Sequence, residues 1–294
     1  MVTGGLQAGG VDCGGIDEEL ETLRAITVCS PHALVIHAEG VIRWANAEAA
    51  RLVGVADPVE VVGRRLDSFV ENRSQDQMLE RIASVLSGET PLRAQEMFLR
   101  RADGRHLVVE TRGARTSWQG APAVQVVLWD VTDRHERTQR LEWEAAHDAL
   151  TGILNRRAIL AALDHRLDGG ADDVAGVALV DLVGFKAVND AAGHPAGDRV
   201  LTRIAQMLET VSGVNPVGRL GGDEFLVVAG ADVGRLAGTI AATVRLGQIE
   251  GRPLPAEVGT TVGVAAAPCR TVSADELVAR ADADLYAKRR SARG

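Results

Sequence analysis

The segment RLGGDEFLVV, residues 219–228, constrains the fold more than any other part of the sequence. Two adjacent glycines and two adjacent acids separate two short apolar runs. Glycines permit a tight turn and the apolar runs suit strands, so the segment predicts a β-hairpin that exposes Asp223 and Glu224 at its tip. Acids in turns are usually only solvated. Another strand-end acid, Asp181, precedes them by about 40 residues and favours a functional role.

A second group of chemically useful residues surrounds that acid. Asp181 ends a short apolar run of the kind that forms a buried strand, and open α/β sheets usually place ligand sites at strand ends. The following LVGFK is predicted to be a loop, in which Gly184 allows close approach of the backbone and Lys186 adds a positive charge, a combination that suits a triphosphate. Each of these features alone is weak evidence for a ligand site. With Asp223 and Glu224 they predict three carboxylates that converge on a phosphate loop, which is a magnesium site.

The stretch from Asp148 to Arg293 resembles the catalytic domain of diguanylate cyclases, whose signature is GGDEF, here Gly221–Phe225. Further matching motifs are DALTGILNRR, FKAVNDAAGHPAGDRVL, TTVGVA and ADADLYAKRR. The resemblance implies a nucleotidyl-cyclase-like α/β domain that joins two GTP molecules into cyclic di-GMP with Mg²⁺ or Mn²⁺. One domain binds one GTP and the product has two-fold symmetry, so we expect a homodimer.

The resemblance also implies roles for individual residues. Asp181, Glu224 and the backbone carbonyl of Leu182 are expected to hold the metal ions, while Asp223 adds a carboxylate and acts as the catalytic base. The expected substrate-binding residues are Gly184, Phe185 and Lys186 at the phosphates, Asn189 and Asp198 at the guanine, and Arg219 facing the active site. The family usually has a second acid where this chain has Val183, and we expect its absence to tune activity.

The terminal helix leaves the register of a phosphate-binding pair open. Counting from Tyr286, the family's Lys and Arg fall on Arg289 and Arg293, whereas the only nearby lysine is Lys288. Lysine occurs elsewhere in the chain only as Lys186. A retained lysine suggests a need for a compact ammonium, which favours Lys288 with Arg293 and leaves Arg289 as the alternative.

Many members of the family carry an RxxD motif shortly before GGDEF, which binds the product and inhibits the enzyme. The aligned residues here are Ser212 and Asn215. A serine lacks the guanidinium fork and an asparagine lacks the carboxylate. We therefore expect no product-inhibition site.

The amino-terminal half contains five short β-like runs with two helical segments between the second and third. These predict an α+β domain with a five-stranded antiparallel sheet. The succession of SPHALVIHAEGVIRWANAEAARLVG, FLRRADGRHLVVETRG and VVLWDVTDR resembles a PAS sensor domain. No histidine occurs between His37 and His106, and GRRLDSFVENR has no cysteine. Neither haem nor a photoreactive flavin is therefore expected, and the PAS ligand stays unknown.

Four segments are predicted: a flexible tail at 1–22, a PAS domain at 23–132, a linker helix at 133–147 and a GGDEF domain at 148–294. From the end of the PAS domain through the linker, Val131, Thr138 and Ala145 recur every seven residues with Leu141 between them. This spacing is compatible with a two-stranded coiled coil, and a solvated helix explains it nearly as well.

Composition limits the remaining possibilities. The chain has 32 Lys+Arg and 40 Asp+Glu, a net charge of −8, which has the wrong sign for coating nucleic acid. No uncharged apolar run approaches the roughly 20 residues of a membrane span. The distant cysteines Cys13, Cys29 and Cys269 favour neither disulfides nor zinc. We expect a cytoplasmic cyclase, with a catalytically weak domain that binds GTP or cyclic di-GMP as the alternative.

Overall fold

The computed structural model describes residues 21–22, 25–88, 93–170, 173–249 and 251–291. The chain divides into two compact units, residues 1–138 and 139–294, and each is considered by itself. Arg293 and all but the last two residues of the predicted tail lie outside the described residues. None of the described helices is long and apolar enough to cross a membrane.

The first unit is built on a five-stranded antiparallel sheet with the order β2-β1-β5-β4-β3, which confirms the predicted fold class. Two helices and two short 3₁₀ turns pack against the sheet around an apolar core. The elements are β1 (Ala33–Ala38), β2 (Val41–Ala45), α1 (Ala47–Val53), the 3₁₀ turns Pro58–Glu60 and Leu66–Ser68, α2 (Asn72–Ser87), β3 (Gln95–Arg100), β4 (His106–Trp118) and β5 (Ala121–Asp130).

Asn46 anchors the start of α1 to the sheet. Its side-chain oxygen accepts hydrogen bonds from the Ala49 amide at 2.9 Å and from the Leu34 amide at 3.0 Å, and its amide group donates to the carbonyl of His32 at 2.9 Å. An N-cap asparagine satisfies helix amides that otherwise lack partners. The buried side chain of Asn46 thereby places α1 against β1.

Helix α3 (Thr132–Ala146) follows β5 and covers most of the predicted linker. The side chain of Asp130 accepts a hydrogen bond from the amide of Thr132 at 2.9 Å and so caps the helix. None of the residues of α3 is buried, and Leu141 keeps 64% of its surface exposed. The coiled-coil interpretation of this helix remains a prediction.

The second unit contains a six-stranded sheet with the order β10-β11-β7-β9-β8-β6. All neighbouring strands are antiparallel except the pair β6 and β8. The elements are β6 (Leu154–Asn155), α4 (Arg156–Leu167), β7 (Val174–Val183), α5 (Phe185–Ala192), α6 (His194–Ser212), β8 (Val217–Gly221), β9 (Glu224–Ala229), α7 (Val233–Thr243), β10 (Leu246–Ile249), β11 (Arg252–Pro268) and α8 (Ala274–Ser291).

Helices cover both faces of this sheet, which explains why the central strand β7 is apolar except for Asp181 near its end. Side chains alternate between the two faces of a strand. Ala178 and Val180 face the core formed with α5, α6 and α7, while Val177 and Leu179 face the core formed with α4 and α8. By the same alternation Asp181 lies on the α4/α8 face, at the end of the strand.

Candidate active site

Asp181 and Glu224 lie directly opposite each other on the neighbouring strands β7 and β9. Directly opposed residues in an antiparallel pair have Cβ atoms roughly 5 Å apart, on the same face of the sheet. Asp181 is buried, with 8% of its surface exposed, and Glu224 is half-buried. Two carboxylates this close and partly shielded from water repel each other, so the position favours a bound cation.

The cation that reaches Asp181 is Arg289, whose guanidinium forms an ion pair with it. Arg289 comes from α8, which packs closely on β11 because Gly263 has no side chain. A Cβ atom at Gly263 would lie 2.2 Å from the carbonyl oxygen of Ala281. This close contact sets the position of α8 and brings Arg289 to the strand-end carboxylate.

Lys288 contacts other groups than Asp181, and the preference for it over Arg289 as the phosphate ligand stays a prediction. Its ammonium donates to the carbonyl of Val262 at 2.9 Å and to Asp284 at 2.7 Å. The same Asp284 oxygen accepts a hydrogen bond from the amide of Val264 at 2.8 Å. The described pairs of β10 with β11 extend only as far as Val258, so Lys288 and Asp284 satisfy backbone groups on the open edge of β11.

The predicted hairpin is confirmed: β8 and β9 pair antiparallel around the turn at Gly222 and Asp223. Asp223 and Glu224 are half-buried rather than exposed, and Glu224 is the first residue of β9. Arg219 holds this turn, donating two hydrogen bonds to the carbonyl of Gly222 at 2.9 and 2.7 Å. A third nitrogen of the guanidinium donates to Asp148 at 3.1 Å. Arg219, predicted to contact substrate, thus supports the turn that carries Asp223.

Asp148 begins the DALTGILNRR motif and was not among the predicted site residues. Burial raises the pKa of its carboxyl, but hydrogen bonds from Thr151 and Arg219 outweigh burial and hold the pKa below its ordinary value. The donors of Thr151 are its hydroxyl at 2.7 Å and its amide at 2.9 Å. An ionised Asp148 therefore ties the start of the unit to the hairpin.

The expected cluster of three carboxylates is not present. The described part of the chain holds no group of three or more acidic, histidine or cysteine side chains arranged to bind a metal, so Asp223 does not join Asp181 and Glu224 in such a cluster. Mg²⁺ is usually bound by one or two carboxylates together with substrate phosphates and water. The paired carboxylates and the Leu182 carbonyl are oxygen donors of this kind, and they fit Mg²⁺ bound together with a triphosphate.

The predicted phosphate loop is a single glycine followed by a helix. Gly184 has a φ of +88°, and a Cβ there would lie 2.4 Å from the carbonyl of Glu257. Phe185 and Lys186 form the first turn of α5, where free backbone amides favour anions. Lys186 is exposed. Val183, the residue that replaces the family's acid, keeps 52% of its surface exposed.

The two predicted guanine-reading residues lie on neighbouring helices, Asn189 on α5 and Asp198 on α6. The side-chain oxygen of Asn189 is buried without a hydrogen-bond partner. A Cβ on Gly197 would lie only 2.0 Å from this oxygen, so the glycine makes room for it. Asp198 is exposed. Gly197 was not among the predicted site residues, and its only sequence signal is a glycine inside a helical pattern.

The residues aligned with RxxD are used internally. Ser212 is buried at the end of α6. The side-chain amide of Asn215 donates a hydrogen bond to the backbone carbonyl of Ser212 at 2.9 Å.

Two family models match the chain. One described as "Diguanylate cyclase, GGDEF domain" matches residues 145–294, and one described as "PAS fold" matches residues 30–136. An uncharacterized signaling protein of Caulobacter vibrioides is 33% identical, in an alignment that covers 100% of this chain and 37% of that protein.

Named relatives from Escherichia coli include a cyclase and a phosphodiesterase. Diguanylate cyclase DgcM of strain O157:H7 is 30% identical over 71% of this chain and 51% of its own length. Cyclic di-GMP phosphodiesterase PdeR of strain K12 is 30% identical over 56% of this chain and 26% of its own length. The chain thus spans about half or less of each of these three relatives. Because the first family model covers half of the sequence, the chain belongs to the diguanylate cyclase GGDEF domain family, with a PAS fold before that domain.

Proposed function

We propose that this chain is a cytoplasmic diguanylate cyclase that condenses two GTP molecules into cyclic di-GMP and two pyrophosphates under the control of its PAS domain. The observation that carries the proposal is the placement of Asp181 opposite Glu224, three residues before Gly184, which is the N-cap of α5. This arrangement offers oxygen ligands to a cation beside backbone amides for phosphates.

Each predicted residue then has a physical task. Bound Mg²⁺ would neutralise charge on the triphosphate and make pyrophosphate a better leaving group. The first turn of α5, Lys186 and Arg289 hold the phosphates, and the unpartnered side-chain oxygen of Asn189 accepts an N–H of guanine. Asp198 lies within reach of the same nucleotide's base only if the base enters between α5 and α6.

In the chemical step the protein positions the two substrates and forms no covalent bond with them. Each 3′-hydroxyl attacks the α-phosphorus of the other GTP in line with the departing pyrophosphate. Asp223, on the turn held by Arg219, accepts the hydroxyl proton. One domain supplies one GTP, so two domains must face each other, and the proposed enzyme is a homodimer.

Two observations favour a second candidate, a GGDEF domain that binds GTP or cyclic di-GMP with weak catalysis. Val183 leaves the site with one acid fewer than is usual in the family. The matched relative PdeR is named as a phosphodiesterase.

Incubation of the purified full chain with GTP and Mg²⁺, followed by chromatography for cyclic di-GMP, separates the two candidates. The cyclase predicts product and pyrophosphate in a 1:2 ratio, as the reaction stoichiometry requires. Saturable GTP binding without product would support the binding module instead. Absence of both product and nucleotide binding would contradict both proposals.

A further inference from the structure

His37 is a buried histidine without a hydrogen-bond partner. Only 1% of its surface is exposed, and neither ring nitrogen has a partner among the described residues. Burial lowers the pKa of the imidazole to about 4, so the ring is neutral near pH 7. A neutral imidazole has one N–H donor and one acceptor nitrogen, and leaving such groups unpaired inside a protein costs stability.

The local backbone directs this ring toward the core. His37 and Val35 share one face of β1, and the pairing of β1 with β2 shifts register between Ile36 and His37. Such irregularities commonly redirect a side chain. Both Val35 and His37 line an internal cavity of about 100 Å³.

The rest of the cavity wall is almost entirely apolar. Representative lining residues are Ile42, Phe69, Met78, Leu99 and Leu128, which come from strands, turns and helix α2. The other polar lining residues are Arg81 and Thr111. A cavity lined in this way tends to stay dry, so water does not readily satisfy the histidine.

The guanidinium of Arg81 already has hydrogen-bond partners within the protein. Its guanidinium donates to the side-chain oxygen of Gln95 at 2.6 Å and to the carbonyls of Thr111 at 3.1 Å and Arg93 at 3.3 Å. A carboxylate ligand would have to be desolvated inside the apolar cavity, beside a neutral histidine and an arginine committed to other acceptors. The charge balance therefore favours an uncharged ligand.

We infer that the cavity binds a small, uncharged, mainly apolar molecule with one hydroxyl group, and that His37 is the hydrogen-bond partner of that hydroxyl. An apolar cavity of about 150 Å³ accommodates benzene, so the volume here suits about four heavy atoms. A hydroxyl both donates and accepts, and can therefore pair with either nitrogen of the ring. The inference does not depend on cyclase activity.

The test uses the full chain with ¹⁵N-labelled histidine and three probes that share a three-carbon chain: 1-propanol, 1-chloropropane and propionate. We expect millimolar 1-propanol to shift the ring nitrogens of His37 in a saturable way, while the exposed His165 stays unchanged in the same spectra. Equal binding of 1-chloropropane would show that no hydroxyl is recognised, and tighter binding of propionate would show an anion site. Either result, or no shift at His37 with any probe, overturns the inference.

Two variants separate recognition from packing. His37→Leu removes both unpaired nitrogens, so it should raise the unfolding temperature without probe and bind 1-propanol roughly tenfold more weakly. His37→Gln retains a donor and an acceptor and should keep 1-propanol binding within a few-fold of the wild type. Unchanged affinity in His37→Leu would show that the histidine takes no part in binding.

Discussion

Asp181 on β7 and Arg289 on α8 form an ion pair within the candidate active site. The two residues belong to elements far apart in the sequence, and the close packing of α8 on β11 joins them. Under the proposed function, the carboxylate binds metal and the guanidinium then serves the phosphates, so both halves of the pair contribute to the reaction.

Asp181→Asn or Asp223→Asn is expected to lower cyclic di-GMP formation at least a hundredfold, because each change removes negative charge needed for the metal or the proton transfer. Product formation is measured by chromatography, and circular dichroism confirms that the fold is intact. Asp282→Asn, which changes an exposed acid on α8, is the control and should retain wild-type rates. Wild-type rates in either site variant would refute the assignment.

Arg289→Gln and Lys288→Met should affect different properties. The first removes the guanidinium beside Asp181 and should raise the apparent KM for GTP about tenfold, with little change in stability. The second removes hydrogen bonds to Val262 and Asp284 and should lower the free energy of unfolding by about 1 kcal/mol with an unchanged KM. Steady-state kinetics and urea unfolding distinguish the two variants, and the reverse pattern would identify Lys288 as the phosphate ligand.

Gly197→Ala is expected to disturb the guanine site without changing any residue that contacts the base. The added Cβ would lie 2.0 Å from the side-chain oxygen of Asn189 and must displace it, which should raise the KM for GTP about tenfold. Gly238→Ala on α7, where a Cβ meets no atom within 4 Å, is the matched control. Equal kinetics in the two variants would show that Asn189 does not hold the base.

Because of His37, the PAS unit should become less stable as the pH is lowered. Burial lowers the pKa of this ring to about 4 from an ordinary 6.5. Between these two pH values, His37 is therefore protonated in the unfolded chain and neutral in the folded chain. Between these pH values the free energy of unfolding should decrease by up to about 3 kcal/mol as pH falls. Urea unfolding followed by tryptophan fluorescence measures the change. His37→Leu should remove this part of the pH dependence, and an identical slope in that variant would contradict the assignment.

Under the proposed function, cyclic di-GMP is expected not to inhibit the cyclase through a separate site. Ser212 is buried, and the Asn215 side chain donates a hydrogen bond to the Ser212 carbonyl. Neither residue supplies the guanidinium or the carboxylate with which an RxxD motif binds the product. Initial rates should stay constant with added product until it competes for the GTP site. Noncompetitive inhibition at low micromolar product would reveal an inhibitory site elsewhere on the protein.

Local patterns in the sequence were enough to predict the hairpin at Gly221–Phe225, the apolar strand before Asp181 and the five-stranded sheet of the first unit. These features depend on alternation and turn chemistry within a few residues, so they can be read along the chain. The helix that begins at Phe185 was missed because Gly184 and Lys186 also suit a phosphate-binding loop.

Only the tertiary structure decided which terminal cation faces Asp181. Neighbouring residues of a helix point about 100° apart, so a rotation of about 100° around the axis of α8 would exchange Arg289 for Lys288. The close packing of α8 against Gly263 fixes the helix in the orientation that presents Arg289. The same holds for His37: its sequence context predicts a strand, whereas its burial and lack of partners arise from elements packed around it. Sequence patterns therefore determined the strands and the residues available for chemistry, and long-range packing determined which of them meet, because side-chain contacts depend on distances that no local pattern contains.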